Sequence, residues 1–136
     1  MFVFGGEQNP TETASDAYKL IDFLANNDAS PVVKYTPKGA DIDSVIDTYA
    51  IFQQQDLSMH DLHKYLWPAK GKYGLHDYEK VFQPQLGNDI YELRGVDRTK
   101  GCVVVVRPDQ HIATILPLDA HAELARFFDH FMIAQN

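Results

Sequence analysis

The chain has 136 residues, 45% of them apolar and 23% charged, which suits one domain (1–136) with a buried core and excludes a disordered or coiled-coil protein. Twelve basic against nineteen acidic side chains leave a net charge of −7 with no Lys/Arg cluster, so nucleic acid and anionic membrane are not expected partners. The single cysteine, Cys102, excludes an internal disulfide and a Cys-x-x-Cys redox pair.

Along the chain, Phe2-Val3-Phe4 closed by Gly5-Gly6 predicts a short strand and its exit turn. Ala17, Leu20, Ile21, Leu24 and Ala25 then recur at helical spacing, predicting an amphipathic helix over about 13–26 entered at Thr11 or Thr13. Val32–Tyr35 reads as a short extended piece, and 45–52, apolar on both faces, as a strand buried between helices. Ser58, with Asp61 three residues on and Leu57 and Leu62 at staple positions, predicts a helix that Pro68 ends. A long loop follows over 69–85, holding one short strand at Lys80-Val81-Phe82. Asn88 caps a short helix stopped by Gly95. Cys102–Val106 and His111–Leu116 form a hairpin across Arg107-Pro108-Asp109-Gln110, before a last helix capped by Asp119. This order gives an α/β fold with a mixed sheet flanked by helices, the element order of a thioredoxin fold. No run reaches the roughly 20 apolar residues of a bilayer span, and Met1–Gly6 lacks the pattern of a signal peptide. A cytoplasmic location is expected.

Few residues carry a chemical signature. Gly5-Gly6 lacks the third glycine and the helix entry of a phosphate cradle and reads as a strand-ending turn. His60 and His63 share one side of the Ser58 segment, yet no spacing supplies a third ligand. Cys102 opens a β-branched run and reads as a buried space-filler. Tyr73, His76, Asp77 and Tyr78, near Trp67 and Glu79, are the candidates for a small pocket, although such residues more often pack a loop onto its domain. The stripe of Leu124, Phe127, Phe128, Phe131 and Met132 reads as core, but neighbouring residues on a helix point about 100° apart. Phe127, Phe128 and Phe131 are therefore candidates for a subunit or interdomain contact. No catalytic, cofactor-binding or metal-binding residue is assigned.

Three segments together resemble a known family. They are Tyr35–Asp47 (Tyr-Thr-Pro-Lys-Gly-Ala-Asp-Ile-Asp-Ser-Val-Ile-Asp), Tyr73–Phe82 (Tyr-Gly-Leu-His-Asp-Tyr-Glu-Lys-Val-Phe) and Gly101–Gln110 (Gly-Cys-Val-Val-Val-Val-Arg-Pro-Asp-Gln). Leu116-Pro117-Leu118-Asp119 leading into an aromatic helix continues the match. The set resembles the C-terminal domain of FAD-dependent phenol 2-monooxygenases, from the Phe2–Gly6 opening to the last helix.

The resemblance implies a non-catalytic thioredoxin-like domain that serves in homodimerisation or packs on a flavin-dependent catalytic domain. It implies FAD and NADPH only for a full-length parent, whose flavin fingerprint lies upstream of this domain. Two departures from true thioredoxins agree with the lack of a dithiol. Gly5-Gly6-Glu7-Gln8 stands where Cys-x-x-Cys would, and Arg98-Thr99-Lys100-Gly101 replaces the proline before the Cys102 strand. Compared with the hydroxylases, the stretch 82–88 is shortened and altered. The expected chain is either a C-terminal piece of such a flavoprotein or a separately encoded relative. The alternative is a small stand-alone enzyme or binding protein for a phenolic or polyketide-like metabolite, built on the same fold.

Overall fold

Short β-branched and aromatic runs alternate with amphipathic segments. In the computed structural model, which describes residues 1–134, they become β1 (Phe2–Phe4), α1 (Asp16–Asn26), α2 (Pro31–Tyr35), β2 (Tyr49–Ile51), β3 (Ala69–Lys70), β4 (Leu75–His76), β5 (Val81–Phe82), α3 (Ile90–Arg94), β6 (Cys102–Val106), β7 (Ile112–Leu116) and α4 (His121–Asp129). Five strands make one sheet in the order β5-β2-β1-β6-β7, and β3 pairs β4 in a separate hairpin. β1 runs parallel to β2, which runs parallel to β5, while β6 is antiparallel to both β1 and β7. The expected α/β class and mixed sheet are what the chain forms.

Strand alternation sends Val3, Ala50, Val103 and Val105 into the main core. There they meet Ala17, Leu20, Ile21 and Leu24 of α1, Val32 and Tyr35 of α2, and Leu124 and Phe128 of α4. Phe4, Ile51 and Val104 point the other way, onto Tyr91 of α3.

Several boundaries depart from the sequence reading. α1 begins later than Thr11 or Thr13, because the Ser15 side chain accepts the Tyr18 N–H and so caps it. Val32–Tyr35 is helical, not extended. Buried Ser30 accepts from the Val32 and Val33 N–H groups, and Pro31 at the first helical position pre-sets φ. Only Tyr49–Ile51 of the expected 45–52 strand pairs, since Asp43 and Asp47 are drawn into ion pairs with lysines.

The helix expected after Ser58 is two 3₁₀ turns, Met59–Asp61 and Lys64–Leu66. Ser58 makes no side-chain cap, whereas His63 Nδ1 accepts the Tyr65 N–H and opens the second turn. The long loop holds β3 and β4 as well as the expected β5. Asp89, not Asn88, caps α3, and Gly95 ends it at φ 64° as expected. α4 begins without a side-chain cap at Ala120, so Asp119 does not serve, and Phe131 lies beyond its last residue.

Two backbone contacts are intolerant of change. Gly101 has φ +66°, and a Cβ there would collide with the Phe4 carbonyl oxygen. Gly101→Ala should therefore cost about 1–3 kcal/mol from the left-handed backbone alone, with the collision added, read as a lowered midpoint in urea. Ser30 also donates to the Leu24 carbonyl at 2.7 Å, tying α2 to α1. Ser30→Ala is expected to cost about 1–2 kcal/mol in the same titration.

Candidate functional site

The two faces of the sheet are covered unequally. Three helices and the 3₁₀ turns lie over one face, and among the described residues the helix that meets the other is α3, five residues long, through Tyr91 and Ile90. The Tyr91 hydroxyl lies 2.8 Å from the Gly5 carbonyl and 2.9 Å from that of Ile51, fixing α3 at one end of this face. Beside it the face carries Phe2, Tyr49, Phe82, Val106, Ile112 and Ile115. The Phe2 and Tyr49 rings stack at 5.6 Å, while Phe82, Ile112 and Ile115 are each half or more exposed. An exposed apolar strip of this kind marks an interaction surface.

A second apolar concavity of about 440 Å³ lies where β1 and β2 begin and β6 ends. Val45, Ile46, Val105, Phe127, Phe128 and Phe131 line it. The three phenylalanine rings pack on one another at 5.3–5.7 Å. Phe128 is buried in the core, Phe127 is half-buried, and Phe131 is 61% exposed.

The Tyr73, His76, Asp77 and Tyr78 set does not converge. Tyr73 sits at the tip of the β3–β4 hairpin, with the Lys72 ammonium 5.5 Å from its ring centre. His76 and Tyr78 instead join Trp67 and His60 in an outward-facing aromatic group, with the His60 and Trp67 rings parallel within 10°. Asp77 turns towards two lysines, Lys70 at 3.4 Å and Lys80 at 3.9 Å.

Those lysines belong to an ionic cluster that the sequence did not announce. Lys80, 2% exposed, reaches Asp43 at 2.7 Å and Asp47 at 2.5 Å, with the Tyr49 ring centre 5.3 Å away. Lys70 meets the same Asp43 oxygen at 2.9 Å. Burial pushes the Asp43 carboxyl up, but hydrogen bonds from Lys80 and Lys70 outweigh it and hold the group below the usual aspartate range. Burial likewise pulls Lys80 down, and its two aspartates outweigh that and raise it. With every charge partnered, the cluster is a clamp binding the 41–47 segment to β5 and the β3–β4 hairpin, not an acid–base site. A depressed aspartate stabilises the fold above its unfolded pKa and loses that effect as pH falls through the folded value. Stability should thus decline below about pH 4, and Asp43→Asn should flatten that acid limb in pH-dependent thermal melts. Lys80→Ala, which leaves buried Asp43 with Lys70 as its remaining partner, is expected to cost about 1–3 kcal/mol.

Cys102 is half-buried, and burial pushes its thiol up, away from the reactive thiolate. The Gly5–Gln8 turn does not fit a dinucleotide. Its Gly5 and Glu7 amides are spent on the Ile51 and Thr99 carbonyls, and its own carbonyls accept from the Gln53 and Gln54 side-chain amides. A Cβ at Gly6 would strike the Thr99 carbonyl oxygen, so backbone already occupies the space a phosphate needs.

Sequence reasoning missed the Phe2, Tyr49, Phe82, Ile112 and Ile115 surface, because apolar strand residues look the same whether or not a helix covers them. The usable signal was the shortness of the one helix between β5 and β6.

Comparison with known proteins gives a consistent picture. A family model described as "Phenol hydroxylase, C-terminal dimerisation domain" matches residues 1–136. The 3-hydroxybenzoate 4-monooxygenase of Comamonas testosteroni is 45% identical over 139 residues, covering 98% of this chain and 22% of that protein. The FAD-dependent monooxygenase terD of Aspergillus terreus (strain NIH 2624 / FGSC A1156) is 29% identical over 139 residues, covering 97% and 22% respectively. The chain thus spans about a fifth of the length of these relatives.

Proposed function

The chain belongs to the family of phenol hydroxylase C-terminal dimerisation domains, and on that premise we propose that it is a non-catalytic association module of an FAD-dependent aromatic hydroxylase. The observation that carries this reading is the half-covered sheet, whose Phe82, Ile112 and Ile115 stand at the surface while the opposite face is sealed by helices. The function is to bring two such chains together or to seat this domain on a catalytic body. Flavin and nicotinamide chemistry is assigned to the remaining length of proteins of this kind, of which the chain spans 22%.

The thioredoxin-like reading is supported by four neighbouring strands. They run β2-β1-β6-β7 with a parallel first pair joined through helices and an antiparallel closing hairpin. In this reading, Gly5-Gly6-Glu7-Gln8 fills the place of the redox motif with a turn locked by glutamine side chains. A cytoplasmic location is proposed with it. Among the described residues no helix is long and apolar enough to cross a membrane. A stand-alone acid–base enzyme is disfavoured, because Asp77 is tied to Lys70 and Tyr73 points away at the hairpin tip.

Sedimentation velocity over a hundredfold concentration range tests the association. A dimer is expected to accumulate with concentration. A monomer at every concentration, which also ignores the catalytic portion of a related hydroxylase, would refute it.

A further inference from the structure

Two surfaces compete for the contact between copies, the apolar concavity around Phe131 and the outer edge of β7. The strand edge carries the stronger case. β7 reads Ile-Ala-Thr-Ile-Leu, five residues with no charge, and pairs only β6 within the sheet. Edge strands ordinarily carry a lysine, a proline or a bulge that blocks pairing with another chain. Here the register shift leaves Ala113 without a partner, confining the bulge to the turn end, and Thr114 to Leu116 keep regular pairing with β6. The other edge, β5, is two residues long and lies between buried Lys80 and Pro84, too short to serve as a template.

We propose that β7 is the self-association strand, pairing antiparallel with β7 of a second copy about a two-fold axis centred on Ile115. The proposal rests on the association reading above and names its surface. Four observations commit it to a second copy. The family is described by dimerisation. A strand paired with itself forms a closed isologous contact. Each copy carries a net charge of −7, so like-charged copies favour meeting along an uncharged strip.

The fourth is the side-chain register. Thr114 and Leu116 share the helix-covered side with Val105 and Val103, their partners on β6. Centring on Ile115 sets Thr114 opposite Leu116 of the other copy, so both helix layers stay on one side of a ten-stranded sheet. Ile115, 57% exposed, then lies beside its own counterpart on the open face, with Ile112, 58% exposed, extending the apolar strip.

The test compares Ile115→Lys, Ile112→Lys and Phe131→Lys in the full chain by sedimentation equilibrium, with thermal melts confirming that each folds. All three side chains are more than half exposed, so lysine is not forced into the core. The expected result is a dimer dissociation constant raised at least tenfold by Ile115→Lys, raised less by Ile112→Lys, and within twofold of the parent for Phe131→Lys. Amide hydrogen exchange over 113–116 should slow as concentration rises. A parent-like dimer in Ile115→Lys, or dissociation by Phe131→Lys alone, overturns the strand assignment while the association reading survives. A parent that never dimerises and ignores a catalytic portion overturns both.

Discussion

Everything in this molecule is hung on a strand three residues long. β1 pairs β2 on one side and β6 on the other, so the strand ladder through Phe2, Val3 and Phe4 joins the parallel half of the sheet to the hairpin half. So short a strand holds because its exit is locked. Gly5 donates to the Ile51 carbonyl at 2.9 Å, and the Glu7 amide reaches the Thr99 carbonyl at 3.1 Å. Gly6 and Gly101 let these backbones approach within a distance no side chain would permit. The turn that in another protein could cradle a ligand is here consumed in holding the sheet together.

From that centre the structure divides into a sealed side and an open one. Burying large apolar side chains against α1, α2 and α4 contributes about 1.5–3 kcal/mol each, and the wholly buried Leu20, Ile21, Leu24 and Leu124 supply this on the sealed side. On the open side a five-residue helix does the covering through Tyr91, with Ile90 and Val96 beside it, and the strands beyond its reach keep their apolar side chains at the surface. Such an arrangement suits a module whose remaining burial comes from another chain. Some of its titratable residues hold segments together, as with Lys80 among its aspartates or Lys34 and Tyr35 bonding Asp129 across α2 and α4.

Much of this was legible beforehand, and the limits follow from physics. The α1 stripe, the Gly95 stop and the β6–β7 hairpin each announce themselves through local signals whose partners lie within a few residues. The Ser58 segment misled because a plausible capping pattern competes with the burial of Leu62, Tyr65 and Leu66, which the core accommodates in two tight turns. Val32–Tyr35 misled in the opposite sense, since β-branched residues suggested extension while Ser30 and Pro31 had already set a helical start.

Sequence alone determined the class of the fold, the lack of a dithiol and the family resemblance, because these depend on residue type and order. Only the tertiary structure decided which apolar residues are core and which are surface. Phe128 and Phe131, three positions apart, separate into buried and exposed, and Ile115 stands in solvent while Val104, its partner across the hairpin, is buried. Burial is a property of what packs against a residue, and for β7 that depends on a neighbour distant in sequence or on another molecule. Likewise Lys80 became a clamp only when folding brought Asp43 and Asp47, more than thirty residues earlier, within ion-pair distance.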